Sequence, residues 1–205
     1  MGGPMGGPMG GPMENRKREV VYFESGGPEH TEETLELAIG CLRDSGVSHL
    51  VVASGGRTLL TAAGMLRDAG MKGVTLVGVT LQSGTWSEYG EPDWVRLDEA
   101  KELGALVLTC THSLMGNVET AIRDKFGGMP PVELIAHTLY VFSQGTKVAV
   151  EIVLSAVDAG LVPAGDEVVA VAGTGEGADT ALLVKAASTV SFFDFRVKEL
   201  LCKPR

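Results

Sequence analysis

Cysteine is scarce in this 205-residue chain: the three present, Cys41, Cys110 and Cys202, are an odd number, widely spaced, with no CxxC pair. That argues against a disulfide framework and a structural zinc site, and for a reducing, cytoplasmic compartment. Aromatic residues are only 5% of the chain. The core must therefore be built from Val, Leu, Ile and Ala, which suits a parallel sheet covered by helices. Long apolar runs are missing too. The longest, residues 148–157, is interrupted by Glu151 and flanked by Lys147 and Asp158, too short and too polar for a bilayer. The start of the chain has no apolar core of the signal-peptide kind. Basic residues are in deficit, 17 Lys and Arg against 26 Asp and Glu, for a formal net charge of −9. So acidic a surface repels phosphate backbones, which speaks against a nucleic-acid partner. A small anion is another matter, since backbone N–H groups bind one locally.

What is present is punctuated by glycine. Residues 1–13 read MGGP three times and then Met, a composition that predicts a disordered tail over 1–17 ahead of one folded domain over 18–205. In that domain, strands are expected at 19–24, 49–53, 73–79, 105–109 and 166–173. The intervening helices start at Thr31 as N-cap, after Ser54-Gly55-Gly56, after a polar stretch over 82–93 bordered by Trp86 and Trp94, after Thr111-His112-Ser113, and at Pro131. The last helical region is expected to break near 143–145 and resume to 159. Gly46, Gly70 and Gly160 are the expected stops. Residues 180–187 fit helix or strand, and a strand returning beside 166–173 is favoured because a short glycine-rich loop can make that hairpin. The alternation Phe193/Phe195/Val197 suggests a further extended segment. Strands alternating with helices mean βαβ units, and in such sheets ligands bind outside the carboxyl ends of the strands.

Three loops fall at those ends. Ser54-Gly55-Gly56-Arg57-Thr58 combines close backbone approach, N–H donors at a helix start and a guanidinium, the ingredients of an anion site. It has no Gly-Lys-Ser/Thr, so it is not a Walker motif. Gly173-Thr174-Gly175 opens a second glycine cluster whose spacing fails the dinucleotide fingerprint at Ala178. In Cys110-Thr111-His112, packing or capping is the plainer expectation, with His112 as acid or base the sharper one. Lys147 and Glu151 stand at i, i+4 on an otherwise apolar helix, read as an ion pair, with a lysine facing the ligand as the alternative.

Beyond these loops, residues 20–205 resemble a family of stand-alone proteins similar to the pyruvate kinase C-terminal (α/β) domain. The resemblance is carried by Tyr22-Phe23-Glu24 with Gly26-Gly27-Pro28, by Val51-Val52-Ala53-Ser54 with Gly56, by Thr111-His112, and by Lys125-Phe126-Gly127-Gly128. It continues through residues 142–151 (FSQGTKVAVE), 158–161 (DAGL), Gly177-Ala178-Asp179-Thr180 and Lys203-Pro204-Arg205. The block 145–161 is the most specific. His30, where Asn is expected, and Arg57, where a small residue is usual, depart from the pattern. The resemblance implies an α/β three-layer sandwich with a mainly parallel mixed sheet of about five strands, the last antiparallel. It implies no particular reaction. Pyruvate kinase chemistry itself needs a (β/α)₈ barrel of ~250 residues, which this chain has no room for. In the whole enzyme the matching domain holds a phosphorylated effector.

The expected function is binding of a small phosphorylated ligand, in a regulatory or carrier role, at Gly26, Gly27, Ser54, Gly55, Gly56, Arg57, Thr58, Thr111, His112, Lys147, Gly173, Thr174 and Gly175. The alternative is an enzyme using a phosphate-bearing cofactor such as FMN, with His112 as acid or base. No metal is called for, because His30, His49 and His137 lack ligand spacing. Neither a membrane nor a nucleic acid is expected as a partner, and self-association is left open.

Overall fold

A computed structural model describes residues 17–205; the repeat over 1–13, and the expectation of disorder attached to it, lie outside the described residues. The strands are β1 (Val21–Phe23), β2 (His49–Ala53), β3 (Thr75–Thr80), β4 (Leu106–Thr109), β5 (Glu167–Ala172), β6 (Thr180–Lys185) and β7 (Arg196–Pro204). The helices are α1 (Thr31–Ser45), α2 (Arg57–Asp68), α3 (Trp86–Tyr89), α4 (Trp94–Glu102), α5 (Val118–Phe126), α6 (Pro131–Tyr140) and α7 (Gln144–Asp158). They build one mixed sheet in the order β1-β7-β6-β5-β2-β3-β4. No helix among the described residues is long and apolar enough to cross a membrane.

The parallel set arises as the alternation of strands and helices requires: β2 pairs in parallel with both β3 and β5, and β3 with β4. Successive side chains along each strand face opposite sides. Leu50 and Val52 meet Leu35 and Leu42 of α1, and Leu59, Ala62 and Leu66 of α2. Val51 on the same strand meets Val153 and Ala156 of α7. Helices therefore cover both faces, and their packing residues are aliphatic almost throughout.

The strand count and order correct the expectation of about five strands with the antiparallel one last. There are seven. β6 is antiparallel to β5 as anticipated, but β7 follows, antiparallel to β6 and parallel to β1. Of the alternation Phe193/Phe195/Val197, Phe193 is not strand: Thr189–Asp194 form a 3-10 turn, the chain is extended from Phe195, and β7, with Val197, begins at Arg196. Phe195 is drawn into the apolar cluster against α7. Thr31 is not an N-cap either. A 3-10 turn over Pro28–His30 precedes it, His30 takes the cap position, and the Thr31 hydroxyl donates to Pro28 O at 2.6 Å. The stretch 82–93 is partly helical, holding a 3-10 turn and α3.

Candidate functional site

With β1 to β5 and β7 running the same way, every loop at their carboxyl ends opens on one edge of the sheet. A cleft of about 1040 Å³ lies there. Its floor is the β2–α2 loop, with Ser54, Gly55, Gly56, Arg57 and Thr58 all lining it; Val79 to Leu81 at the end of β3 stand alongside. Gly173 and Gly175 after β5, and His112 after β4, complete that edge. One wall is a single face of α7, Gln144, Lys147, Val148, Glu151, Ile152 and Ser155, whose spacing repeats the helical period.

The β2–α2 loop owes its form to Ser54. Its hydroxyl accepts the N–H of Gly56 at 2.9 Å and of Leu59 at 3.0 Å, capping α2 from outside the helix. The Leu60 N–H goes to Gly56 O. Because the first N–H groups of a helix have no intrahelical partner, the Arg57 and Thr58 N–H groups are the donors of this turn that Ser54 does not take. Gly56 is needed for backbone reasons: its φ is 140°, and a Cβ there would stand 3.0 Å from Asp93 O at the start of α4. The glycine holds two helix starts together, and the side a Cβ would occupy faces Asp93 and Arg96.

Charge in the cleft is mostly spoken for. Arg96 pairs with Asp93 at 2.5 Å and Lys147 with Glu151 at 2.6 Å. Arg57 makes no ion pair among the described residues and is exposed, while Glu29, Glu32, Glu91 and Glu176 give the rim a negative cast. Lys147 and Glu151 are both buried, with 5% of each side chain exposed. Glu151 Oε1 also accepts the N–H groups of Leu114 at 2.9 Å and Met115 at 3.1 Å, so α7 holds the β4–α5 loop in place. Burial, and then the Glu151 carboxylate, push the Tyr140 phenol up from its ordinary value.

His112 is tied to Gln82: its ring Nε2 accepts the Gln82 N–H at 3.4 Å, and its own N–H donates to Gln82 Oε1 at 3.4 Å. A ring nitrogen that accepts leaves the proton on Nδ1.

Four of the expected residues stand elsewhere. Thr111, with Cys110, lines an adjoining depression between the β4–α5 loop and the segment after β3, which shares Met115 and Gly116 with the cleft. Gly26, Gly27 and Thr174 are engaged with Asp179, which is fully buried. Its Oδ2 accepts the N–H of Gly27 at 3.2 Å and of Thr174 at 3.0 Å, while Oδ1 accepts the Thr180 hydroxyl at 2.8 Å. These N–H groups are therefore not free for an anion. A Cβ on Gly26 would stand 2.6 Å from Thr174 Oγ1, so that glycine lets the β1–α1 turn sit directly on the β5–β6 loop.

Sequence reasoning missed Asp179, whose partners are up to 152 positions away. It named Lys147 but missed the rest of the cleft wall, Met115, Tyr140 and the other α7 residues. The helical spacing of Gln144, Lys147, Val148 and Glu151 was the one local sign of that wall. No family model matches the chain.

Proposed function

We propose that this protein binds a small phosphorylated ligand in the cleft at the carboxyl edge of the sheet, in a regulatory or carrier role. The observation that carries the reading is the first turn of α2: Arg57 and Thr58 N–H groups that Ser54 does not take, beside an Arg57 guanidinium without an ion-pair partner among the described residues, in the lining of an open cleft. Backbone N–H groups at a helix start attract an anion, and a guanidinium adds charge-assisted hydrogen bonds. Against the acidic rim, this turn sets N–H donors and a guanidinium side by side. The reading is of the kind that the resemblance to the pyruvate kinase C-terminal domain implies, where the bound group is a phosphorylated effector.

Calorimetric titration of FMN, a sugar bisphosphate and inorganic phosphate into the wild type and Arg57→Ala tests it. At least one phosphorylated compound is expected to bind the wild type below millimolar concentration. Arg57→Ala should weaken that binding about tenfold or more, since a hydrogen bond to a charged group contributes ~1.5–3 kcal/mol. Binding unaffected by the substitution would move the site elsewhere. Absence of any binding to the wild type would refute the phosphate reading.

A further inference from the structure

The Lys147–Glu151 pair on the cleft wall has unused hydrogen-bonding capacity on both partners. A lysine ammonium has three N–H donors, and a carboxylate oxygen has about two acceptor positions. Among the described residues Lys147 Nζ donates to one acceptor, Glu151 Oε2. Glu151 Oε1 is filled by the N–H groups of Leu114 and Met115, whereas Oε2 receives Lys147 alone. Open donors and an open acceptor therefore lie side by side, on side chains that are 95% withdrawn from solvent yet line the cleft. Buried polar groups are ordinarily fully hydrogen-bonded, so this pair calls for an occupant that both accepts and donates.

We infer that the pair recognises a hydroxyl group, and that the ligand of the cleft is a phosphorylated polyol or sugar. The inference rests on the phosphate reading above. A hydroxyl oxygen accepts from Lys147 Nζ while its hydrogen goes to Glu151 Oε2, which completes both partners and adds no net charge to a pair that is already neutral. A second anion at this position would lie against the Glu151 carboxylate, and a second cation against the Lys147 ammonium. Val148 and Ile152, the neighbours on the same face of α7, give the cleft an apolar lining beside the pair, suited to the carbon skeleton of the ligand. Water meets the same need until the ligand displaces it.

The test compares two ligands that share a phosphate and a five-carbon chain and differ in hydroxyls: ribitol 5-phosphate and n-pentyl phosphate. Both are titrated by calorimetry into the full chain. The wild type is expected to favour ribitol 5-phosphate by roughly tenfold to a hundredfold, the range that one charged hydrogen bond confers. The variant Lys147→Met with Glu151→Gln removes the ammonium but keeps an amide oxygen for the N–H groups of Leu114 and Met115. It should bind pentyl phosphate as the wild type does and lose the preference. Equal affinity of the wild type for the two compounds overturns the inference, as does a preference that survives in the double variant. The wild-type comparison needs no variant, so a double variant that fails to fold leaves refutation within reach. Failure of the wild type to bind pentyl phosphate, ribitol 5-phosphate and inorganic phosphate alike is a different result, and refutes the phosphate site itself.

Discussion

Replacing Glu151 with Ala should unfold more of this protein's stability than any single surface change. The carboxylate carries three hydrogen bonds, from Lys147 Nζ at 2.6 Å and from the N–H groups of Leu114 and Met115 at 2.9 and 3.1 Å. Removing it strands a buried ammonium, which costs ~3–5 kcal/mol. Each orphaned N–H adds ~1–3 kcal/mol where water cannot reach it. Met115 is half-buried and regains water; Leu114 is buried and does not. A loss of about 4 kcal/mol or more is therefore expected, which at a urea slope of ~2–3 kcal/mol/M lowers the unfolding midpoint by ~1.5–2 M. The double change Lys147→Met with Glu151→Gln should stay within ~1 kcal/mol of the wild type, because replacing both members of a buried pair is often nearly neutral. Amide exchange at Leu114 and Met115 should quicken in Glu151→Ala and not in the double variant. A loss under ~1 kcal/mol for Glu151→Ala would mean that the pair behaves as a solvated one, and the reasoning would fail.

Two further outcomes follow from other buried groups. Asp179→Ala orphans the N–H groups of Gly27 and Thr174 and the Thr180 hydroxyl, so a loss of about 3 kcal/mol and a thermal midpoint lower by ~6–12 °C are expected; a shift under ~2 °C would show that the clasp is dispensable. Burial pushes the Cys202 thiol up from 9.0 to about 11, and burial followed by Glu199 raises Cys41, while Cys110 is half-exposed. At pH 8 a thiol reagent should modify Cys110 in the native protein and all three cysteines after denaturation. A folded-state thiol pKa above the unfolded one means that the native state holds its proton longer, so the contribution of Cys202 is present below pH 9.0 and lost as pH rises toward about 11. Rapid native modification of Cys202, or stability that does not decline over that range, would contradict its burial.

How much of this was legible beforehand follows from the range of the interactions. The 49–53 run and the stripe Leu59, Ala62, Ala63 and Leu66 carry their periods locally, so β2, α2 and the loop between them were readable, as was the hairpin of β5 and β6. Arg196–Pro204 was legible only at Val197: its pattern is broken by Lys198 and Glu199, because only its far half is buried. The glycines of the β1–α1 turn and the β5–β6 loop read as anion loops, because glycine allows close approach without saying to what. In Gly26 the thing approached is Thr174 and Asp179, a meeting that no local pattern announces. Ser54 was seen as a possible ligand contact; its part in shaping the loop, by accepting the Gly56 and Leu59 N–H groups, was not. The Lys147–Glu151 pair was legible as an i, i+4 pair, but its burial depended on the β4–α5 loop folding over it.

The pairing of β1 with β7 has a consequence for how the chain is made. Glu24 and Arg205, which join just beyond these strands, are 181 positions apart, and β1 has no neighbour other than β7. At a synthesis rate of ~5–20 residues per second, β1 leaves the ribosome on the order of 10–40 s before its partner exists. The apolar side of Phe23 and the face of α1 that it adjoins must wait through that interval. The acidic residues Glu32, Glu33 and Glu36 on α1 keep this waiting segment charged, which discourages it from pairing with the same segment of another nascent chain.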